Sequence, residues 1–281
     1  MSPRLCNVGF DPTQNPESFR ELPTDVLSKL SLTDPKSQVY KLTVSYDGTA
    51  YFGWQKTKTG PSIQESLQDV LKQISREEVL PEAASRTDRG VHAIGQVVSI
   101  SLKKNWEIRS LQRALNAVLP QDIRIVALEP APPGFHPTLH AKEKEYRYRL
   151  CLGAVQDPIH RLYSWAFRYA LDLPKMEQGA QDFLGQRDFS AFANQGKPNS
   201  ICALSRIEIA SLPENRLEIR ISGNRFLYKM ARNIAGTLVY IGCGKLPKDA
   251  VSKILASKNR KMAGITAPAH GLALYRVNYL E

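Results

Sequence analysis

Residues 39–46 alternate strictly, with Tyr40, Leu42 and Val44 set against Lys41, Thr43 and Ser45. A period of two suits a strand buried on one face. From Ser62 the period changes. Ser62 and Glu65 have the spacing of a capping box, and Ile63, Leu67, Val70, Leu71 and Ile74 share one helical face. Residues 97–102 return to a strand pattern, with Val97, Val98, Ile100 and Leu102 apolar. Residues 109–119 read as a second helix, with Leu111, Leu115, Val118 and Leu119 inward and Pro120 as its stop. Ile123, Ile125 and Ala127 then alternate as a third strand. Strand, helix, strand, helix, strand describes an α/β half with its helices on one face of a sheet.

The rest of the chain runs through the same kinds of element without repeating the sequence. Residues 144–150 place Tyr146 and Tyr148 on one face and Arg147 and Arg149 on the other. This is a half-buried strand. Aromatics interleaved with arginines also make a surface on which bases stack and phosphates bind. A helix begins at Pro174 and carries Met176, Ala180, Phe183 and Leu184. Residues 206–210 and 217–222 read as two antiparallel strands. Across residues 223–238, Phe226, Met230, Ile234 and Leu238 keep helical spacing, while Arg232 falls on another face. A last strand runs to Tyr279. The expected parts are an N-terminal extension over 1–37, a first half over 38–143 and a second half over 144–281. The extension holds Pro3, Pro12, Pro16, Pro23 and Pro35 and little periodicity.

Charge narrows the choice of partner. The 281 residues carry a formal net charge of +11. Residues 1–37 hold more acids than bases, so the excess belongs to the body of the chain, which suits a polyanionic partner such as a nucleic acid. A hydrophobic content of 42% and a charged content of 23% are those of a globular protein. No apolar run approaches the ~18 residues of a membrane span, so no membrane partner is expected. Cys6, Cys151, Cys202 and Cys243 are scattered, which argues against a zinc ribbon or a disulfide framework and fits a reducing compartment.

The richest stretch for chemistry is residues 85–95. Asp88 lies between Arg86 and Arg89, with Gly90 close behind and an apolar strand following. A glycine there permits a tight turn, and a carboxylate among guanidiniums is held as an anion where phosphates are welcome. It is available as a nucleophile or a base. Read by charge alone, the same residues are a surface ion cluster. Other candidates are weaker. His136 and His140 are four apart, but Pro137 between them opposes the helix that would make them joint metal ligands. The GlyCysGlyLys of residues 242–245 lacks the spacing of a phosphate loop. There is no HExxH, no paired Cys/His set and no Ser–His–Asp order.

The order of residues says more. ArgThrAsp-x-GlyValHisAla-x-GlyGln at 86–96 resembles the catalytic loop of the TruA family of tRNA pseudouridine synthases. Residues 46–55 resemble that family's Tyr-AspGly-x-x-Tyr-x-GlyTrpGln motif in every specified position. Residues 184–192 are similar to its Leu-x-Gly-x-x-AspPhe-x-x-Phe motif, with the glycine one place early. Residues 223–236 look like its Asn-x-Phe to ArgAsnIle-x-Gly segment, and AlaProAlaHisGlyLeu at 267–272 is a further family pattern. The resemblance spans 38–281. Departures are Arg89 in place of a small alanine, Thr138 in place of an arginine and Ala231 in place of a valine.

The resemblance implies two α/β halves sharing a mixed, mainly antiparallel sheet, with helices on one face and a central cleft. It implies a homodimer acting on tRNA, on uridines of the anticodon stem–loop, with no cofactor and no metal; the scattered cysteines make the cytoplasm the expected location, with an organelle as the alternative. Asp88 is the implied nucleophile, or the group that helps form a glycal. Arg232 pairs with it, and Tyr146 lies over the target base and helps move its C5 proton. Arg86, Arg89, His92, Gln96 and Lys229 are the implied substrate-binding residues. Arg86 either fills the space left by the flipped nucleotide or binds its phosphate. Asp188 reads as a cap rather than a second catalytic acid. The competing readings are a tRNA-binding relative that has lost catalysis, opposed by intact Asp88, Tyr146 and Arg232, and an unrelated basic RNA-binding module, opposed by the ordered set of motifs.

Overall fold

The computed structural model describes residues 37–194 and 199–279; apart from Ser37, the expected N-terminal extension lies outside the described residues. The first half supplies β1 (Gln38–Tyr46), α1 (Ile63–Ser75), β2 (Glu82–Ala83), β3 (His92–Leu102), α2 (Ile108–Val118) and β4 (Ile123–Pro130). The second supplies β5 (Glu143–Leu152), β6 (Trp165–Phe167), α3 (Leu173–Gln181), β7 (Gly185–Asp188), β8 (Ile201–Leu212), β9 (Arg216–Gly223), α4 (Met230–Gly242), α5 (Ala250–Ser257) and β10 (Leu272–Asn278). All ten strands join one sheet, in the order β4-β1-β3-β10-β5-β9-β8-β7, with β2 paired to β3 and β6 to β5. The two halves meet where β3 and β10 run parallel, Ala273 opposite His92 and Leu274 opposite Ala93. Apart from this seam and the β5–β6 pair, the pairings are antiparallel.

One sheet face is the core face. Tyr40, Leu42, Val44 and Tyr46 of β1, Tyr146, Tyr148 and Leu150 of β5, and Leu217, Ile219 and Ile221 of β9 are all buried in a single apolar cluster. The helices add Leu67 and Leu71, Leu111 and Leu115, Met176 and Ala180, and Ile234 and Leu238 to the same cluster. Each of these side chains removes apolar surface from water, worth ~1.5–3 kcal/mol when complete for a residue of Leu or Ile size.

Local signals decide the element ends. The Ser62 hydroxyl accepts from the Glu65 N–H at 3.3 Å, but the Glu65 carboxylate pairs with Lys56 at 3.0 Å, so only half of the expected capping box forms. The second helix begins at Ile108 because the Glu107 carboxylate accepts from the N–H groups of Arg109 and Ser110. Its Val118, expected inward, is 40% exposed, because the helix ends there and Leu119 turns in instead. Phe183 and Leu184 lie beyond the third helix, which stops at Gln181. Phe226 lies before α4 and not in it: Lys229 takes a left-handed φ of 62° at the cap, and helical geometry starts only at Met230. Asp188, expected as a cap, is the last residue of β7 and accepts from the Ser190 N–H at 2.9 Å, one place before the cap residue Phe189 of the short helical turn that follows.

Candidate active site

The Asp88 loop connects β2 to β3, and its backbone is pinned nearly residue by residue. Ala84 N–H donates to Val97 O at 2.8 Å. Gln96 clamps Ser85 from both sides, its Oε1 accepting from Ser85 N–H at 3.2 Å and its Nε2 donating to Ser85 O at 2.6 Å. The Thr87 hydroxyl lies 2.8 Å from the Tyr46 hydroxyl, and Thr87 O accepts from Trp54 N–H at 3.0 Å. Gly90 turns the chain at a φ of 75°, and Val91 N–H closes the turn on Asp88 O at 3.1 Å. The glycine- and aromatic-rich stretch 47–55 is the wall behind this loop. Tyr51 and Trp54 are core residues. Gly53, at a φ of 98°, passes so close that a Cβ there would lie 2.6 Å from Thr87 O and 3.0 Å from the Asp88 carbonyl carbon.

Asp88 meets Arg232, which α4 carries in its first turn. Arg232 Nη1 donates to Asp88 Oδ2 at 2.9 Å, and its Nε donates to Ala267 O at 2.7 Å, so the guanidinium is held from both ends. The two side chains are 13% and 19% exposed, buried enough to be ordered and open enough to be reached. No hydrogen bond among the described residues uses Asp88 Oδ1. Tyr146 approaches the loop from β5. Its hydroxyl lies 2.7 Å from Ser85 Oγ, and its ring meets Phe226 edge-on at 4.8 Å. Burial pushes its phenol well above the usual range, with the Ser85 hydrogen bond opposing the shift and Tyr46 and Asp88 adding to it. Burial likewise pushes the Tyr46 phenol up to about 12.

The remaining expected site residues divide. Arg86 and Arg89 are exposed. The Arg89 guanidinium lies over the Phe52 ring at 4.1 Å, and Asp88 pairs with Arg232 instead. Lys229 is half-buried beside Tyr228, with its Nζ 4.9 Å from that ring centroid. Gln96 and His92, expected as substrate contacts, lie inside the protein. Gln96 is fully buried, with its amide taken up by Ser85 and by Tyr46. His92 is buried at 5% exposure, and both ring nitrogens are engaged: Nδ1 accepts from Gly48 N–H at 3.0 Å, and Nε2 lies 3.0 Å from Leu162 O and 3.2 Å from His270 O. Nδ1 also lies 3.1 Å from Asp47 Oδ1. Burial pulls its pKa below the usual histidine value, against the pull of Asp47. Both residues sit on the strand that follows the loop, where a polar side chain must find its partners inside the protein.

The Tyr–Arg alternation of β5 is also corrected. Tyr146 and Tyr148 face the core, so they form no outer stacking surface. Arg147 and Arg149 on the other face are matched by acids. Arg147 Nε reaches Glu145 at 2.7 Å, and Arg149 Nε and Arg220 Nε both reach Glu218 at 2.9 Å. A cavity of about 190 Å³ opens there, bounded by Arg147, Arg149, Tyr163, His92 and Tyr275, and neither Asp88 nor Tyr146 lines it.

Two further residues hold the site that were not expected to. Lys144, buried on the core face two places before Tyr146, donates from Nζ to Ala84 O at 2.7 Å. Burial and the nearby Arg225 pull it down to about 8. The period-two pattern already put a lysine on the tyrosine face, which was the available signal. Thr138, standing where an arginine was expected, donates to Ala83 O at 2.9 Å and so fastens the strand that feeds the loop. His136 and His140 belong to one turn, His140 Nδ1 accepting from His136 N–H at 3.2 Å. Among the described residues, Asp157, His160 and Glu214 could gather round a cation, but Arg216 already donates to His160 Nε2 at 2.7 Å and pairs with Glu214 at 3.1 Å. No helix of the described residues is long and apolar enough to cross a membrane.

Comparison with known proteins shows the family. The sequence profile of the tRNA pseudouridine synthase family matches residues 42–138 and 180–280. Two proteins of Protochlamydia amoebophila (strain UWE25) are similar over most of their length. "tRNA pseudouridine synthase A 2" is 48% identical over 257 residues, covering 90% of this chain and 98% of that protein. "tRNA pseudouridine synthase A 1" is 41% identical over 246 residues, covering 85% and 96%. "tRNA pseudouridine synthase A" of Thermoanaerobacter sp. (strain X514) is 41% identical over 240 residues, covering 85% and 98%. With the profile spanning both halves of the sheet and both the Asp88 loop and the Arg232 helix, the chain belongs to the TruA family of tRNA pseudouridine synthases.

Proposed function

We propose that the protein isomerises uridine to pseudouridine in the anticodon stem–loop of tRNA, with Asp88 as the nucleophile. The observation that carries the reading is the Arg232–Asp88 contact of 2.9 Å, made to one carboxylate oxygen only. In the reaction the C1′–N1 bond breaks, the uracil turns, and C1′ joins C5. Asp88 Oδ1 attacks C1′ as N1 leaves, while Arg232 holds Oδ2 and aims the carboxylate; C5 of the turned uracil then attacks C1′, and the C1′–Oδ1 bond breaks to free Asp88. The anion needs this partner because a half-buried carboxylate without one loses solvation. No group outside the chain is called on for these steps. The target base leaves its stack to reach Asp88, and Tyr146 and Phe226 border the place it enters. Arg86, exposed and without an ion pair among the described residues, takes the phosphate or the space the nucleotide leaves. Arg89 on Phe52 and Lys229 beside Tyr228 bind backbone or unstacked bases. Gln96 and His92 act from inside by fixing the loop. The working unit is a homodimer in the cytoplasm, built from halves over 38–143 and 144–281.

The test is conversion of an unmodified tRNA transcript by the wild type beside Asp88→Asn, with binding measured in parallel and the mass of the particle determined in solution. The reading expects conversion on the 3′ side of the anticodon arm by the wild type, binding without conversion by the variant, and twice the chain mass. If both proteins bind and neither converts, the chain is an RNA-binding relative and not an enzyme.

A further inference from the structure

The buried phenol of Tyr146 has one hydroxyl partner, Ser85, and this pair has no part in the steps above. Ser85 Oγ lies 2.7 Å from Tyr146 Oη. The backbone of Ser85 is fixed, since Gln96 clamps both its N–H and its C=O. Gln96 is fully buried, whereas Ser85 is half-buried. Ser85 therefore stands between a tyrosine with 5% exposure and the solvent side of the loop, three residues before Asp88. Ala84, the residue before it, is tied by Lys144. Tyr46 and Asp88 act electrostatically on the phenol, while Gln96 and Lys144 hold the backbone of Ser85 and Ala84.

We infer that Ser85 is a proton-relay residue, which passes the C5 proton of the target base from Tyr146 to water in the site. This rests on the functional reading above. Once C1′ has joined C5, that carbon still carries its hydrogen. The C5–H bond breaks, and its electron pair restores the C5–C6 double bond conjugated with the C4 carbonyl. The proton passes to Tyr146 Oη, the phenol's own proton passes to Ser85 Oγ, and the serine's proton passes to water. The freed N1 takes up a proton from solvent, so the base is isomerised without net gain or loss. A relay is required because a buried phenol is a poor place to leave a negative charge or to store an extra proton. A hydroxyl that donates and accepts at once stores neither. Ser85 acts through Tyr146 and does not touch the base.

The test uses full-length tRNA in single-turnover reactions, with the uridines carrying hydrogen or deuterium at C5. Ser85→Val removes the hydroxyl and fills its place with methyl groups, which keep water out. Ser85→Thr keeps the hydroxyl. Ser85→Gly opens room for a water at the hydroxyl's place. The expected result for Ser85→Val is a rate lower by ~10²-fold, the low end of general acid–base effects. Affinity for tRNA stays within about twofold, and a C5 deuterium effect larger than the wild type's appears because proton removal has become slow. Ser85→Thr keeps most of the rate, and Ser85→Gly lies between. An equal C5 deuterium effect in Ser85→Val and wild type would overturn the relay and leave Ser85 as a prop for the tyrosine ring. A Ser85→Val protein with the wild-type rate would overturn it as well. If the wild type itself forms no pseudouridine, the failure is that of the functional reading.

Discussion

Arg232 and Asp88 stand 144 residues apart in the chain and meet at 2.9 Å, one on the first turn of a helix and the other on a loop between two strands. The same guanidinium also holds Ala267 O through Nε at 2.7 Å. A lysine could serve one of these acceptors but not both in that geometry. Arg232→Lys is expected to lower single-turnover conversion by ~10²-fold while leaving tRNA affinity within about threefold, since small misplacements of a reacting group act on rate. A rise in the dissociation constant with unchanged rate would instead make Arg232 an RNA contact.

Gly53 tests whether the aromatic wall sets the loop. At a φ of 98°, with Thr87 O 2.6 Å from where a Cβ would stand, Gly53→Ala must move the loop or itself. The expected cost is ~1–3 kcal/mol of stability, read by urea unfolding. The rate of a still-folded variant should fall by at least about tenfold. Full activity with the stability loss alone would show that the loop holds its position without the wall.

Arg89 is the departure nearest the reacting carboxylate, and its guanidinium rests on Phe52 while Arg232 takes Asp88. Arg89→Ala is expected to keep the rate within about twofold, to weaken tRNA binding about two- to fivefold and to reduce the slope of log affinity against log salt by about one. Complete loss of turnover would make Arg89 catalytic.

Glu218 governs the acid sensitivity of the outer sheet face. It is 2% exposed and shared by Arg149, Arg220 and Arg147. Burial opposes its ionisation, but the hydrogen bonds and charges of Arg220, Arg149 and Arg147 outweigh burial and hold the carboxyl below its usual value. The unfolded chain therefore binds this proton more readily than the folded one. The stabilisation is complete above the unfolded value of about 4.3 and is lost as pH falls through the lower folded value. Glu218→Gln should lower stability at pH 7 by ~1–3 kcal/mol, less than for a fully buried pair because the arginines are partly solvated. It should also flatten the fall in stability below about pH 4. Urea unfolding of both proteins at pH 7 and in acid measures the two effects.

Much of this was legible in local pattern. The alternation of β1, the Ser62 cap and the turn around Gly90 depend on neighbours in sequence, and each was found where the pattern put it. Arg232 was legible as the one charge off the apolar stripe of its helix. What was hidden depends on partners far away. Gln96 and His92 look like surface residues of a strand until the hairpin of β2 and β3 and the turn at Gly48 close over them. Arg147 and Arg149 look like a phosphate surface until β9 brings Glu218 beside them. Phe226 kept a helical period by coincidence, because Lys229 breaks the helix with a left-handed residue that no spacing rule detects. Ser85 carried no signal at all, since only the folded chain brings it to Tyr146.

The parallel seam of β3 and β10 has a consequence for how the protein is made. β10 is the last strand of the described chain, yet it lies at the middle of the sheet, beside the strand that follows the Asp88 loop. On a ribosome adding about 5–20 residues per second, the open edge of β3 waits on the order of ten to thirty seconds for its neighbour. During that interval an unpaired edge next to an unfinished site is exposed to other chains. The centre of the sheet thus closes last, and a nascent chain stopped before Leu272 has the residues of the Asp88 loop but not the strand that joins the two halves around it.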